Sequence, residues 1–367
     1  MPPSGPWPPP PPGPGQQPPP WGQQPPGGPP PKGGGNRAKW ILGVIALVVV
    51  IGLTIVATLL VTRDESGSGE PPTASAPPST SADTSDIASA DDRGPVGIIL
   101  EEPTCASWTT ISAAIAHSAS NGWDRRDPAI PAAKWTPEQR RQYGAMSAAF
   151  REASNKAVTL AKETPHREVR VLYEQFVAYS REYASRIPDY VADDDQFVRT
   201  SNSLSATLNA ICDSITFGAA AARSPLVTEG LPPPGTIAQP QLDNPSMFLK
   251  SPNPQCAEWL NATKEFTDNT AAWRTVDPNI PAPELSLEQR AINDAAMSVM
   301  DDFARYSLLL GRASENAVWA DISALSAQYR SAYASALPSY SPADNDLQVA
   351  AASAAGAISA ACRAAGV

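Results

Sequence analysis

Cys105-Ala-Ser-Trp108 and Cys256-Ala-Glu-Trp259 decide the fold, because each begins one copy of a duplicated domain. Further motifs recur at an offset of 150 or 151 residues, namely Asp127–Pro131 with Asp277–Pro281, Glu138–Arg140 with Glu288–Arg290, Tyr183–Tyr190 with Tyr333–Tyr340, and Cys212 with Cys362. The offset is kept along the whole length of each copy. This pattern indicates an internal duplication and predicts that both copies share one fold.

Each copy is predicted to contain four helices. Apolar residues recur every three or four positions, as on the buried face of a bundle helix; the second helix carries Tyr143, Met146 and Phe150 in this pattern. Residues 136–139 and 286–289 have the form of capping boxes, so the second helix of each copy is expected to begin there. The predicted fold class is all-α: two tandem disulfide-bridged four-helix bundles, each with its own core, after a single transmembrane helix.

The chain has four cysteines, two at matching places in each copy. This arrangement predicts a disulfide framework in an oxidising compartment. The duplication favours Cys105–Cys212 and Cys256–Cys362, because a stable ancestral unit would have carried its own bridge. The start of the first helix and the end of the fourth also lie at the same end of an up-down-up-down bundle. A metal site is disfavoured, since there is no CxxC pair and no matching pair of histidines.

Residues 41–62 read ILGVIALVVVIGLTIVATLLVT and contain no charged side chain. A helix of this length spans about 33 Å at ~1.5 Å per residue, which is enough to cross a bilayer. Basic residues lie just before the segment, so the positive-inside rule places the N-terminus in the cytoplasm and the C-terminal domain outside. The alternative, a cleaved signal peptide, is disfavoured because the apolar segment and the sequence before it are both too long.

Composition divides the remaining chain into segments. Proline is concentrated in residues 1–31, 71–78 and 225–254, which marks tails and linkers. An apolar triplet, at 98–100 and again at 247–249, precedes the first cysteine of each copy and is expected to pack against the bundle end. The predicted organisation is a disordered Pro/Gly/Gln-rich cytoplasmic tail (1–39), a transmembrane helix (40–62), a Ser/Thr/Pro-rich linker (63–95), helical repeat 1 (96–223), a Pro-rich linker (224–246) and helical repeat 2 (247–367).

The net charge of −10 is unevenly distributed. Residues 1–62 hold three basic residues and no acidic one, so the remaining 24 basic and 37 acidic residues give the rest of the chain a charge of −13. An acidic domain repels the phosphate backbone of DNA and RNA. Nucleic-acid binding is therefore excluded as a main role.

Motifs shared by the two copies converge on the end of each bundle opposite the cysteines. The loop between the first two helices, the start of the second helix and the junction of the third and fourth helices all lie there. An aromatic, acidic and cationic cluster of this kind is a candidate binding site for a ligand or partner. The candidate residues are Trp123, Asp127, Trp135, Arg140, Tyr183, Tyr190, Asp193, Trp273, Asp277, Arg290, Tyr333 and Tyr340.

The same cluster also has a purely structural interpretation. Asp127 and Asp277 can pair with arginine or cap backbone donors, and Trp123 and Trp273 can plug the bundle ends. If the cluster does bind a ligand, the first repeat is predicted to be preferred. Only that repeat has a tryptophan, Trp135, beside the loop, where the second has leucine.

Catalysis finds little support in the sequence. The two histidines, His117 and His166, have no counterpart in the second copy and are expected to be surface positions on helices. No sequence typical of a serine hydrolase, zinc protease or nucleotide-binding loop is present in the repeats. The acidic run 193–195 invites a cation-binding hypothesis, but acids at a helix start are usually a solvated first turn. We therefore predict no enzyme activity, no cofactor and no bound metal.

The Pro/Gly/Gln-rich start, the basic residues before the apolar span and the Ser/Thr/Pro-rich stalk resemble the proline-rich single-pass membrane proteins of mycobacteria and related actinobacteria. The resemblance covers residues 1–95 and is one of composition. It implies a single-pass envelope protein and assigns no functional residue in the repeats.

These observations predict a protein of the cell membrane with a cytoplasmic N-terminus and an extracytoplasmic C-terminal domain. Its ectodomain is expected to be a non-enzymatic interaction or scaffold module with a protein partner in the envelope. The Pro-rich tail is a possible docking strip for a cytoplasmic partner. The alternative is a sensor or carrier that binds a small molecule or lipid within the bundles.

Overall fold

The computed structural model describes residues 86–228, 230, 231, 233 and 237–367, and within them all regular structure is helical. The α-helices are α1 (Cys105–Ala119), α2 (Pro137–Glu163), α3 (Arg167–Arg186), α4 (Asp195–Thr216), α5 (Ala219–Arg223), α6 (Cys256–Asn269), α7 (Leu287–Ala313), α8 (Ala317–Ala336) and α9 (Asn345–Ala364). Helices α1–α4 and α6–α9 are the two sets of four that the duplication predicts. The all-α class is confirmed.

None of the helices in these described ranges is long and apolar enough to cross a membrane. The predicted cytoplasmic tail (1–39) and transmembrane helix (40–62) lie outside the described residues, as does most of the linker (63–95).

The two long second helices begin at the predicted capping boxes. The Thr136 hydroxyl accepts a hydrogen bond from the Gln139 amide at 3.2 Å, and the Gln139 side chain accepts one from the Thr136 amide at 2.9 Å. The second repeat makes the same pair of bonds, at 3.1 and 2.9 Å, between Ser286 and Gln289. These bonds satisfy amides at the start of each helix that have no partner within it.

Both predicted disulfides are present. Cys105 bonds Cys212 and Cys256 bonds Cys362, each with Cα atoms 5.5 Å apart. Each bridge joins the start of the first helix of a repeat to the end of its fourth helix, as an up-down-up-down bundle requires. We call this the disulfide end of each repeat, and the opposite end the loop end.

The two repeats pack against each other, and the expected separate cores are wrong. The fourth helices α4 and α9 lie side by side, as do the third helices α3 and α8. Small side chains line the α4–α9 contact, where a Cβ on Gly356 would lie 3.4 Å from the Ser203 hydroxyl. Buried apolar residues of both repeats therefore form one continuous cluster. The sequence pattern did not reveal this contact because alanine-rich faces carry a weak amphipathic signal.

A buried ion pair joins the repeats across α3 and α8. Nε and Nη2 of Arg167 donate to the two carboxylate oxygens of Asp321 at 3.0 and 3.2 Å. The side chains of Arg167 and Asp321 are 0% and 4% exposed. The same guanidinium also donates to the Asp92 and Gly94 carbonyls at 3.0 Å, so residues before the first repeat join the contact. Since a buried pair is costly to break, it holds the repeats in one relative orientation.

The apolar triplets before the first cysteines cross between repeats. The amide of Ile99 donates to the hydroxyl of Tyr329 in the second repeat at 3.2 Å. In the first repeat, Tyr179 occupies the equivalent position, and its hydroxyl donates to the Leu249 carbonyl at 3.5 Å. Each triplet thus contacts the third helix of the opposite repeat. The second triplet also packs on its own bundle, as expected: the Phe248 carbonyl accepts a hydrogen bond from the Asn316 side chain at 2.7 Å, and the Phe248 ring packs against Trp319. The crossing gives the body an approximate twofold symmetry.

The described part of the Pro-rich connection also lies against the first repeat. The buried side chains of Arg170 and Glu174 on α3 bind the Ala238 carbonyl and the Gln241 amide, each at 2.9 Å. Next to this connection, Arg223 at the end of the short helix α5 forms a 2.8 Å ion pair with Asp344 of the second repeat. The repeats are therefore tied together by the chain between them as well as by their helices.

Candidate functional site

The loop end of each repeat is built on one shared frame. In the first repeat the Ala132 amide donates to the Tyr190 carbonyl at 2.9 Å, and the Tyr190 hydroxyl donates to the Pro128 carbonyl at 3.0 Å. The second repeat makes the same two bonds, at 2.9 and 2.7 Å, through Ala282, Tyr340 and Pro278. The loop after the first helix is thereby tied to the junction of the third and fourth helices.

The predicted acidic residues of the loop stabilise its backbone. Asp127 accepts a hydrogen bond from the Ala129 amide at 2.9 Å, and Asp277 accepts one from the Asn279 amide at 2.9 Å. Both aspartates are exposed. Such turns within the loop are a structural role, in agreement with the capping interpretation.

Three other predicted residues lie on the surface. Arg140, Arg290 and Asp193 are all exposed. Arg290 donates to the Leu285 and Pro283 carbonyls at 3.1 and 2.9 Å, so it stabilises the loop before its own helix.

The acidic run 193–195 is used by the protein itself. The Asp194 carboxylate accepts a hydrogen bond from the Val191 amide, and Asp344 accepts the equivalent bond from Ser341 in the second repeat. Asp194, and not Asp193, is therefore the counterpart of Asp344. Asp195 is paired with arginines, as described below. Both buried carboxylates of the run, those of Asp194 and Asp195, are therefore bonded to protein donors.

The two histidines are peripheral to the loop ends. His117 is exposed near the end of α1. His166 immediately precedes α3, where its ring nitrogen Nε2 lies 2.9 Å from the Glu101 carbonyl oxygen.

Aromatic rings fill the loop end of the first repeat. The indole N–H of Trp123 donates to the Tyr183 hydroxyl at 3.2 Å. Trp135 stacks on Tyr143 with ring centroids 3.8 Å apart and packs against Tyr190 at 5.4 Å. Burial raises the pKa of Tyr143, Tyr183 and Tyr190, so these hydroxyls stay protonated. The hydroxyls of Tyr183 and Tyr190 are hydrogen-bonded, whereas that of Tyr143 has no partner among the described residues.

Sequence reasoning missed the ion pair at the centre of this end. The Arg126 guanidinium lies 3.5 Å from the Trp123 ring centroid and 2.5 Å from the Asp195 carboxylate. The two charged side chains are 12% and 3% exposed. Burial lowers the pKa of the Arg126 guanidinium, but Asp195, together with Tyr183 and Tyr143, more than offsets this effect, so the pKa is raised. Asp195 also pairs with Arg199 at 2.7 Å.

The loop end of the second repeat contains a cavity of about 220 Å³ that is half open to solvent. The residues that fill the first repeat are replaced by smaller or neutral ones at the matching positions: Trp135 by Leu285, Arg126 by Val276, Tyr143 by Asn293 and Asp195 by Asn345. All four replacements line the cavity. The cavity is also lined by the predicted residues Trp273, Asp277, Tyr333 and Tyr340.

Two polar side chains at this cavity lack part of their hydrogen-bond or ionic partners. Asn293 is 5% exposed, and its Oδ1 atom has no hydrogen-bond donor among the described residues. Behind the lining residue Gln348 lies Arg330, which is 1% exposed and donates to the Gln348 side-chain oxygen. Burial lowers the pKa of Arg330 to about 10, because no carboxylate of the described ranges pairs with it.

The structure reverses the basis of the expected preference for the first repeat. That expectation rested on Trp135, but its indole fills the end of the first repeat and donates to the Ile130 carbonyl at 2.8 Å. Room for a ligand lies in the second repeat, where leucine takes its place. The sequence signal for the cavity is the set of positions at which the two copies differ. The candidate residues are mainly those that the copies share.

Comparison with known proteins agrees with the mycobacterial part of the expectation. A family model described as "Mycobacterial ESX-1 associated protein" matches residues 87–366. An uncharacterised protein of Mycolicibacterium smegmatis (strain MKD8) is 42% identical over 330 residues, covering 89% of this chain and 86% of that protein. No solved structure matches the chain significantly. The family match covers most of the chain and both repeats, so this protein belongs to the mycobacterial ESX-1 associated family.

Proposed function

We propose that the protein is a membrane-anchored component of the mycobacterial cell envelope that serves the ESX-1 secretion system as a non-enzymatic interaction or scaffold module. Family membership supports the secretion context. The apolar segment 41–62 supports an anchor with the N-terminus in the cytoplasm. The two disulfides support a C-terminal body outside the cytoplasm, because such bridges persist in oxidising compartments.

The observation that carries the scaffold role is the locking of both repeats into one body. The Arg167–Asp321 pair, the Arg223–Asp344 pair and the crossed triplets all join the first repeat to the second. A body fixed in this way presents its surfaces in a constant geometry, which lowers the entropic cost of binding a partner.

The buried charges support a structural use of the ionisable groups. The carboxylates of Glu174, Asp195, Asp321 and Asp344 each accept a hydrogen bond from an arginine. All four carboxylates are buried and bonded to an arginine, which leaves them inaccessible to a substrate. These contacts agree with a binding protein better than with an enzyme.

Site-specific crosslinking in mycobacterial cells tests this proposal. A photo-crosslinking amino acid would replace Leu309, which lies on α7 and is 62% exposed, in the full-length protein. We expect a crosslink to an ESX-1 component at this site or at Leu287, which is 87% exposed, and no such crosslink from the buried control position Leu325. Identical crosslinks in a strain lacking the ESX-1 locus would contradict the proposal.

The anchor and the compartment need a separate measurement. Single cysteines would be placed at Gly15 and Ser81 and treated with a membrane-impermeant thiol reagent. We expect Ser81→Cys to react from outside in intact cells, and Gly15→Cys to react only after lysis. The reverse pattern, or release of the C-terminal body as a soluble cleaved product, would overturn the anchored arrangement.

Binding of a small molecule is a second candidate function, and the cavity of the second repeat favours it. The volume of about 220 Å³ and the carboxamide side chains in its wall suit a small polar molecule better than a lipid tail. Mass spectrometry of molecules that co-purify with the full-length protein tests it. We expect a bound species that is lost when Leu285→Trp fills the cavity as Trp135 fills the first repeat. A species bound equally by both proteins would contradict a role for this cavity.

A further inference from the structure

The cavity wall of the second repeat is richer in carboxamide side chains than the matching region of the first repeat. Three positions that hold Tyr143, Asp195 and Val198 in the first repeat hold Asn293, Asn345 and Gln348 in the second. All three carboxamide side chains line the cavity. Carboxamides stay neutral and present both a hydrogen-bond donor and an acceptor. The wall therefore suits a ligand whose polar groups both donate and accept.

Asn293 determines which kind of hydrogen-bonding group this wall can bind. The side chain is 5% exposed, lines the cavity and has an unpartnered Oδ1 atom. Leaving a buried acceptor unpaired is unfavourable, so a ligand hydroxyl that donates to Oδ1 recovers free energy once the carboxamide turns this shielded oxygen toward the cavity. A hydroxyl group meets this need and can accept from a neighbouring carboxamide at the same time.

An aromatic surface faces the same space. In the first repeat the guanidinium of Arg126 covers the ring of Trp123 at 3.5 Å. In the second repeat Val276 replaces that arginine, and Trp273 lines the cavity together with Tyr333 and Tyr340. The indole is thus available to a flat, partly apolar ligand face.

The charges around the cavity favour a neutral ligand. A cation would lack the buried partner that Asp195 provides in the first repeat, would find only the exposed carboxylate of Asp277 in the cavity lining, and would approach the buried charge of Arg330 behind Gln348. An anion would meet the exposed carboxylate of Asp277 at the rim, where Arg274 also lies. The volume of about 220 Å³ equals roughly seven water molecules at ~30 Å³ each, which is enough for one six-membered ring.

We infer that the second repeat binds one ring of a neutral sugar at its loop end. An apolar face of the ring lies against Trp273, and its hydroxyls exchange hydrogen bonds with the carboxamides of Asn293, Asn345 and Gln348. This inference rests on the second proposed function, and it names the chemical class of the ligand.

Saturation-transfer NMR on the full-length protein in detergent tests the inference. The probes are D-glucose, D-galactose, D-mannose and D-arabinose, each at millimolar concentration, with sodium phosphate and N-acetyl-arginine amide as charged probes. We expect transfer to the ring protons of at least one sugar. Transfer should fall at least tenfold in Asn293→Leu, which keeps the branching of the side chain at Cγ but removes the carboxamide, and in Leu285→Trp, which fills the cavity.

The matched control is Asp127→Asn, at the exposed loop of the first repeat, which should leave the sugar signal unchanged. Asn293→Leu removes an unpaired buried polar group, so the variant is expected to fold, and circular dichroism verifies this. Sugar transfer that persists in Asn293→Leu would overturn the inference. Binding of a charged probe alone, sensitive to Asn293→Leu, would overturn the sugar class and keep ligand binding. A response to Asn293→Leu by none of the probes would overturn both.

Discussion

The loop ends of the two repeats share a backbone frame and differ in what fills it. The tyrosine-to-proline hydrogen bond, made by Tyr190 and Tyr340, occurs in both. In the first repeat an arginine, a carboxylate and an extra tryptophan occupy the interior, and in the second leucine, valine and asparagines leave a cavity. After the duplication the interior of one copy was filled by side chains, while the other kept space lined by polar groups, which is the usual condition of a binding site.

Loss of a disulfide is expected to have the largest effect and to test whether the two repeats are independent at all. Replacing both Cys105 and Cys212 by serine opens a loop of 107 residues, and the chain-entropy model gives a loss of about 4–5 kcal/mol. Because the core is continuous, we expect one cooperative transition for the whole body in chemical denaturation followed by circular dichroism. The equivalent change at Cys256 and Cys362 should act alike. Two separate transitions would show that each repeat unfolds alone.

The ion pair at the first loop end is expected to make the next largest difference between repeats. Asp195→Asn introduces the residue of the second repeat and leaves Arg126 buried without its partner. Breaking a buried pair in this way costs about 3 kcal/mol in unfolding free energy. The control, Asn345→Ala, alters the matching position that has no such pair and should cost less than about 1 kcal/mol. Equal losses in urea denaturation would remove the contrast between the two ends.

The third helices supply a contrast that depends on pH. Burial raises the pKa of Glu168 to about 7, and the neighbouring Asp92 adds to this shift, whereas the second repeat has Val318 at the same position. Between the ordinary pKa of about 4.5 and about 7 the folded protein binds more protons than the unfolded chain. Its stability must therefore fall as pH rises through this window.

Glu168→Gln removes that dependence. We expect the variant to be more stable than the parent by up to about 3 kcal/mol at pH 8, from ~1.4 kcal/mol per pKa unit, and nearly equal to it at pH 4. Thermal unfolding across the pH range measures the difference. Glu288→Gln changes an exposed carboxylate and should shift nothing. A parent protein that gains stability between pH 5 and 7 relative to Glu168→Gln would contradict the raised pKa.

Exchanging Trp135 and Leu285 tests the packing difference directly and has the smallest expected effect. Trp135→Leu removes the stack on Tyr143 and the hydrogen bond to the Ile130 carbonyl, which should cost about 2 kcal/mol. Leu285→Trp places an indole where the second repeat has space, and should change stability by less than about 1 kcal/mol. A large loss from Leu285→Trp would mean that the second cavity cannot hold an aromatic ring.

The sequence predicts the helices and the bridges because their signals are local or duplicated. The capping residues Thr136 and Ser286 mark helix starts through a fixed spacing, and the cysteines pair within copies because each copy carries its own two. The contact between repeats could not be predicted in this way. It depends on Arg167 meeting Asp321 across 154 positions, and neither residue has a charged counterpart in the other copy.

The sequence predicts that the shared motifs meet at the loop end of each repeat, where the structure places them, but the candidate set omits several residues that line that end. Trp123, Tyr183 and Tyr190 were chosen because the copies share them, and the structure buries all three together. The residues that decide what each end can do, Arg126 and Asn293, are those in which the copies differ. Residues shared by the two copies identify the common backbone frame. Only the three-dimensional structure shows which of the differing residues line the interior of the same loop end.

The contacts of the apolar triplets with the opposite repeat determine the order in which the protein can fold during synthesis, which proceeds from the N-terminus. The amide of Ile99 finds its partner, the hydroxyl of Tyr329, 230 residues later in the chain. At roughly 5–20 residues per second, synthesis of that interval takes about 10–50 s. During this interval the face of the first repeat that α8 and α9 will cover is still exposed to solvent. A newly synthesised chain thus remains incompletely folded until its last helices have been made, and any factor that protects it from aggregation must act within that time.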